Sequence, residues 1–347
     1  MNIVIIGLGR VYEHYKKNFV PDLISDSHTI YLLDIDHSKY IGQESESIIL
    51  LHSFSEISDL NIDFAIISSI SGSHYQLSKE LLQIGVNVLT EKPPTMKVSE
   101  LEELILIAKN SSLKYGVLFQ NRFNPAMQMA KELVEKKYLG IINICSIRLH
   151  WSRSQSYYND GWHGTWKDDG GVINQQAIHH VDAMQWINGP FNRVSALASN
   201  QINRLDAEDT MNALVEFKSG SVGTIEASTA IRPEDKEASI FIAGTNGYLK
   251  VGGIALNIIE EYDLSDISDE LKVRLDNAST NVSSGYGHSH KLVVYDFISS
   301  IQNNHEPAIA ADSTINTLQA IHGIYQSCET GAWANVGKNT FSKLLGN

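Results

Sequence analysis

Gly7, Gly9 and Tyr12 occupy the three positions of a G-x-G-x-x-G fingerprint, with tyrosine where a third glycine or an alanine is usual. The first two glycines permit a tight turn and let a pyrophosphate approach backbone N–H groups at a helix N-terminus. The third serves close helix packing, so Tyr12 alters packing more than binding. Arg10 and Val11, which open that helix, are expected beside the same phosphates. Asp34 stands 25 residues after Gly9, at the end of the next apolar run. There its carboxylate can accept hydrogen bonds from a ribose diol. Its charge repels a 2′-phosphate, and the nearest cation downstream is Lys39, so NAD is expected rather than NADP. An aspartate at a strand end is by itself commonly a turn residue; its spacing from the glycines gives it meaning.

Such a dinucleotide oxidises a secondary alcohol when the carbinol hydrogen is aimed at its ring. A base must take the hydroxyl proton, and positive charge must sit near the developing alkoxide. Lys92, in Thr90-Glu91-Lys92-Pro93-Pro94, and His179, in Gln175-Gln176-Ala177-Ile178-His179-His180, are of the types that can supply these two functions. A lysine at the C-terminal end of a parallel strand lies at the crevice where such sheets bind ligands. An imidazole titrates near neutrality and so serves as a base more readily than a lysine. On helical spacing His179 shares a face with Gln175 and Asp182, which are expected to orient its ring. His180 lies about 100° round the helix and reads as a packing residue.

Elements that would position these groups can be read from periodicity. Apolar runs at residues 2–6, 29–33, 64–67, 86–89 and 115–119 alternate with helix-compatible segments through 19 and at 73–82 and 98–110. This alternation predicts an α/β, doubly wound (Rossmann) parallel sheet over a first domain at 1–120. The pattern then changes. Longer alternating strands at 141–151, 211–217, 221–228 and 238–243, with turn signals at 218–221 and 244–247, predict a mostly antiparallel open sheet. Helices at 125–136, 172–187, 289–301 and 313–328 make the second domain, 121–347, an α+β unit. The acidic stretch 260–276 reads as a solvated loop.

Two domains suit the 347 residues. A net charge of −13 gives no attraction for nucleic acid or anionic membranes, although local cations can still bind a small anion. Cys145 and Cys328 lack the spacing of a zinc site or a disulfide framework and read as buried thiols. The pair His288 and His290 has no acidic neighbours, so no metal is expected. With no apolar span or leader-like start, the chain is expected to be cytoplasmic.

The Glu91-Lys92-Pro93 motif and the segment from Gly170-Gly171-Val172 to His179-His180-Val181-Asp182 resemble the glucose-fructose oxidoreductase, inositol dehydrogenase and MocA family over nearly the whole chain. That resemblance implies NAD(P)-dependent oxidation or reduction of a sugar or cyclitol hydroxyl. It places Lys92 at the alkoxide and the nicotinamide ribose, and His179 at proton transfer. It also implies cofactor contacts at Ser69, His74, Glu91 and Gln120, and a cis bond between Lys92 and Pro93.

Gln120-Asn121-Arg122-Phe123-Asn124-Pro125 and Trp162-His163-Gly164-Thr165-Trp166 look like the nucleotide-sugar branch, whose 3-dehydrogenases of UDP-N-acetylglucosaminuronic acid serve bacterial surface-polysaccharide synthesis. Inositol dehydrogenases carry an Asp where this chain has Gln175, which argues against a cyclitol. The expected sugar contacts are Arg122, Asn124, Arg153, Tyr158, Trp162, Thr165, Gln175 and His179. Tyr286 and His288, in a glycine-rich turn before a helix, are expected at the diphosphate or uracil. Two alternatives stay open: a dehydrogenase of a free sugar or cyclitol, and an inactive NAD-binding sensor. Face-to-face packing of the open sheets predicts a homodimer or homotetramer.

Overall fold

A computed structural model describes residues 1–282 and 284–347. The chain divides into two compact units, Met1–Leu118 with His290–Thr314, and Phe119–Ser289 with Ile315–Asn347.

Six strands build the first unit: β1 (Asn2–Ile6), β2 (Thr29–Leu33), β3 (Ile48–Leu51), β4 (Phe64–Ile67), β5 (Asn87–Thr90) and β6 (Tyr115–Val117). They lie in the order β3-β2-β1-β4-β5-β6 with every pair parallel. Helices α1 (Arg10–Asn18), α2 (Val20–Ser25), α3 (His74–Gln83) and α4 (Val98–Asn110) connect them. The strands are apolar without alternation because both faces of such a sheet are covered; Ile3, Val4 and Ile5 of β1 are fully buried. The order reverses between β1 and β4, which opens a crevice at the C-terminal strand ends. Gly7, Ser69 and Lys92 follow β1, β4 and β5 at those ends.

Eight strands build the sheet of the second unit: β7 (Ile142–His150), β8 (Phe191–Ser199), β9 (Thr210–Phe217), β10 (Val222–Ser228), β11 (Glu237–Gly244), β12 (Gly247–Gly252), β13 (Ile258–Leu264) and β14 (Ala334–Asn335). Their order is β13-β12-β11-β7-β10-β9-β8-β14, antiparallel except for the parallel pair β7 and β10. In β9 the buried Met211, Ala213, Val215 and Phe217 alternate with Asn212 and Leu214, which face solvent. Helices α5 (Pro125–Glu135), α6 (Val172–Gln175), α7 (Ile178–Asn188) and α8 (Asp269–Asp276) belong to this unit. The chain rejoins the first unit through α9 (His290–Gln302) and ends in the second with α10 (Ile315–Thr330).

Several elements differ from the sequence reading. The second domain, expected over 121–347, is interrupted at 290–314: Phe297 of α9 packs edge to face on Phe64 of β4, with ring centres 5.4 Å apart, and Lys291 pairs with Asp22 at 2.9 Å. The helix expected over 172–187 is broken at Gln176 and Ala177, where the Ala177 N–H reaches back five residues to the Val172 carbonyl. The acidic stretch 260–276 is edge strand and helix rather than loop. Its acids face outward, Glu260 pairs with Lys250, and the Ser268 hydroxyl caps α8 by accepting from the Leu271 N–H. Cys145 is buried and Cys328 half-buried.

Candidate active site

The turn after β1 needs glycine. Gly7 has φ +96°, and a Cβ there would lie 2.5 Å from the Ser69 backbone nitrogen. Gly9, by contrast, faces open space, and no side chain caps α1 at its N-terminus. The half-buried Val11 and exposed Arg10 form the first helical positions. A pyrophosphate fits this arrangement, with backbone donors at a helix start and room for close approach. Asp34 is 6% exposed, and its carboxylate accepts from the Leu8 N–H at 2.6 Å and the Asp36 N–H at 2.8 Å. It therefore fixes the glycine turn from the C-terminal end of β2.

Lys92 lies at the end of β5, where Lys92–Pro93 is cis. Two buried groups hold this turn. His74 Nδ1 is 2.8 Å from the Pro93 carbonyl and Nε2 is 3.1 Å from the Ser69 carbonyl. Burial lowers the His74 pKa, against the Pro93 and Ser69 carbonyls, which raise it. The Ser69 hydroxyl, for its part, bonds that of Ser73 at 2.7 Å.

Glu91 receives the Tyr15 hydroxyl and the Lys92 N–H and lies 3.6 Å from His290 Nε2. Burial pushes this carboxyl up, but His290, Lys92 and the Tyr15 hydroxyl outweigh it and hold the pKa down at about 2. Glu91 is thus an anchor of the lysine turn. His290, which the sequence places in the glycine-rich stretch expected near a diphosphate or uracil, is its partner; the 199 positions that separate the two hid that role. Among the described residues no group of three or more His, Cys, Asp or Glu side chains converges on a metal-binding point.

In the second unit His179 sits in the first turn of α7, with its ring edge-to-face against Phe119 at 5.8 Å. Its helix is fixed from behind. Arg122, 5% exposed, donates from Nε at 2.8 Å and from Nη2 at 2.6 Å to the two oxygens of Asp182, which also accepts the Thr317 hydroxyl at 2.8 Å. Arg122, expected at the substrate, and Asp182, expected beside the His179 ring, pair with each other. Asn124 is likewise engaged in the fold, donating to the Ala255 carbonyl at 2.7 Å and accepting from the Ser289 hydroxyl at 2.7 Å.

Ahead of α7, Glu208 Oε1 accepts the Ile173 N–H at 3.1 Å and the Tyr325 hydroxyl at 3.1 Å, while that hydroxyl accepts the Gly171 N–H. A Cβ on Gly171 would strike the Glu208 carboxylate at 2.2 Å, so glycine is required there by close approach. Sequence reasoning did not single out Glu208 or Tyr325.

The remaining expected contacts are spread through the same unit. Arg153 bonds Asp235 at 3.0 Å and lies over the Trp151 ring, with its guanidinium 4.8 Å from the centroid. The buried Tyr158 hydroxyl bonds that of Thr229 at 2.7 Å, Trp162 stacks on His163, and Thr165 donates to the Trp162 carbonyl. Gln175 is buried at the end of α6, and Tyr286 and His288 are exposed.

Among the described residues, Gln120 Oε1, Gln176 Oε1 and both ring nitrogens of His180 are buried without a protein partner. Burial pushes His180 down to about 4, so it is neutral. Buried polar atoms of this kind call for donors and acceptors from a bound molecule or ordered water. A sugar offers both.

The family's NAD-binding Rossmann domain matches residues 1–119, and its C-terminal domain matches residues 127–250. The chain belongs to the Gfo/Idh/MocA family of oxidoreductases. Both the expected family and the expected fold, a parallel Rossmann sheet followed by a mostly antiparallel one, are borne out.

Among Gfo/Idh/MocA relatives, an uncharacterised oxidoreductase of Synechocystis is 26% identical over 200 residues, 52% of this chain and 53% of its own length. The matched segment thus spans about half of that protein. Myo-inositol 2-dehydrogenase of Thermotoga maritima is 24% identical over 70% of this chain and 72% of its own. Among solved structures, the WlbA dehydrogenase of Chromobacterium violaceum, in complex with NADH and UDP-GlcNAcA, is 26% identical with a TM-score of 0.89, covering 98% of this chain and 96% of that one. The Bordetella pertussis WlbA dehydrogenase, in complex with the same two ligands, is 25% identical with a TM-score of 0.88, covering 97% and 98%.

Proposed function

We propose that this chain is an NAD-dependent dehydrogenase of a UDP-linked N-acetylated sugar, oxidising the 3-hydroxyl of a UDP-N-acetylglucosaminuronic acid-like substrate for surface-polysaccharide synthesis. The observation that carries this reading is the near full-length likeness to two WlbA dehydrogenases in complex with NADH and UDP-GlcNAcA. NAD supplies the hydride acceptor. In this reading the His179 imidazole takes the hydroxyl proton, and the Lys92 ammonium stabilises the charge that develops on the oxygen. Glu91 and His74 hold the lysine turn, while the Arg122–Asp182 pair and Glu208 hold the segments on either side of His179. Gln175 replaces the acid expected for a cyclitol oxidase, which favours the sugar nucleotide over inositol.

Incubation of the purified protein with NAD, UDP-N-acetylglucosaminuronic acid and a 2-oxoacid should give a 3-keto product by mass spectrometry, and a His179→Ala variant should bind NAD yet lose turnover. A free-sugar dehydrogenase would instead show no rise in melting temperature with UDP alone, since a ligand of the native state must raise it. Unchanged turnover in His179→Ala would remove that residue from the mechanism. We further propose that subunits associate through the open face of the second sheet.

A further inference from the structure

Leu345 is fully buried although it lies well past the end of α10, in a segment whose Phe341 and Leu344 are exposed. It packs on Gly170, where a Cβ would lie 3.0 Å from Leu345 Cδ1 and 3.1 Å from the Tyr325 hydroxyl oxygen. The next residue bonds the same loop, the Gly346 N–H donating to the Trp166 carbonyl at 2.8 Å. Trp166 in turn meets the Tyr325 ring edge to face, with centres 5.1 Å apart. Leu345, Gly346 and Tyr325 thus grip both ends of the turn from Trp166 to Gly170.

The gripping segment takes its own shape from α10. The Glu329 carboxylate accepts the Ser342 hydroxyl, and both of its oxygens lie 3.0 Å from the Lys343 nitrogen. The Ser342 N–H donates to His322 Nδ1 at 2.9 Å, and the Ser342 hydroxyl oxygen accepts the Leu344 and Leu345 N–H groups at 3.1 and 3.0 Å. These bonds close a turn that aims Leu345 inward while Leu344 stays in solvent. Close-packed interiors transmit small displacements rather than absorb them, so Leu345 fixes where Gly170 sits.

The loop so held leads directly to the expected sugar contacts. Trp162 and Thr165 precede the gripped turn, and Gly171 opens α6, which carries Gln175 and leads on to His179. The loop is also tied to itself: the Gly164 N–H donates to Asp169 Oδ2 at 2.6 Å and the Gly170 N–H to the Thr165 carbonyl at 2.7 Å. A shift at Gly170 is therefore carried to Thr165.

We propose that Leu345, aimed by Glu329 and packed on Gly170, is a positioning residue for the sugar nucleotide, acting through the loop that carries Trp162 and Thr165. The proposal rests on the reading of a UDP-linked substrate. All of these contacts lie within the second unit, so the first should bind its dinucleotide as before.

Steady-state kinetics with UDP-N-acetylglucosaminuronic acid, NAD and a 2-oxoacid, together with NADH binding by fluorescence, test this on wild type, Leu345→Ala, Leu345→Met and Glu329→Ala. Leu345→Ala removes the contact, and Glu329→Ala releases the turn that aims it. Each should raise the sugar-nucleotide KM on the order of 10-fold, since a misplacement of about 1 Å can cost about 100-fold. In both, kcat and the NADH dissociation constant should change by less than about 3-fold, the signature of lost uniform binding. Leu345→Met, similar in volume, should bring KM back to within about 3-fold of wild type. Loss of stability alone would lower kcat with the folded fraction and leave KM unmoved. That pattern, or an unchanged KM in both alanine variants, overturns the role of Leu345 while the substrate reading stands. Should Leu345→Ala fail to fold, Glu329→Ala decides, because its side chain is only half-buried. Wild type that neither binds nor oxidises the UDP sugar sinks both.

Discussion

Arg122 shows how much a residue type alone leaves open. A guanidinium near a site that must hold an acidic sugar nucleotide invites assignment to the ligand, since arginine grips carboxylates and phosphates bidentately. Its partner is Asp182, 60 positions away, and both groups are buried. Removing one member leaves the other charged and unpaired in a low-dielectric interior, at a cost of about 3–5 kcal/mol. Arg122→Ala should therefore lower stability to urea by that amount. If Arg122 served the substrate instead, KM would rise while the urea midpoint stayed put. The glycine turn and Asp34 were legible because their geometry is set within one strand, turn and helix. The partners of Arg122, Glu91 and Asn124 were not, because they depend on which distant segments the fold brings beside them.

At the level of elements, the strands and helices of the first unit follow from local pattern, and residues 2–6, 29–33, 64–67 and 98–110 keep their expected limits. Segments whose burial is one-sided at a sheet edge escaped, as in β3 and in the acidic β13. The break between α6 and α7, where the Ala177 N–H reaches back to the Val172 carbonyl, also escaped, and so did Glu208, which meets the Ile173 N–H from 35 positions away. Burial pushes Glu208 up to about 8 from an ordinary carboxyl value of 4.5. Between those values the folded chain keeps a proton that the unfolded chain has released. Its contribution to stability is therefore full below about pH 4.5 and is lost as pH rises through about 8. Glu208→Gln keeps the acceptor for the Ile173 N–H and does not titrate. Its stability relative to wild type should rise between pH 5 and 9, by at most about 1.4 kcal/mol per pH unit. Urea unfolding across that range checks this, and a difference that stays flat would show that Glu208 is ionised in the folded chain.

For the whole molecule, the sheet of the second unit has one face covered by α7 and α10 and another that carries Leu197 at 74% exposure, Leu214 at 54%, Val222 at 53% and Ile144 at 41%. Strand register puts these on one surface, with Val222 opposite Ile144 and Thr224 opposite Leu214. Arg148, Glu216 and Glu226 lie among them, in a mixture of apolar centre and charged surroundings that suits an interface between identical copies. Light scattering should give the mass of a dimer or tetramer. The double variant Leu214→Asp with Val222→Asp should fall to a monomer, because like charges would face each other across a two-fold contact. Since both positions are exposed in a single chain, its own fold should change by no more than about 0.5 kcal/mol each, readable as an unaltered circular dichroism spectrum. A variant that keeps the wild-type mass would move the subunit contact off this face.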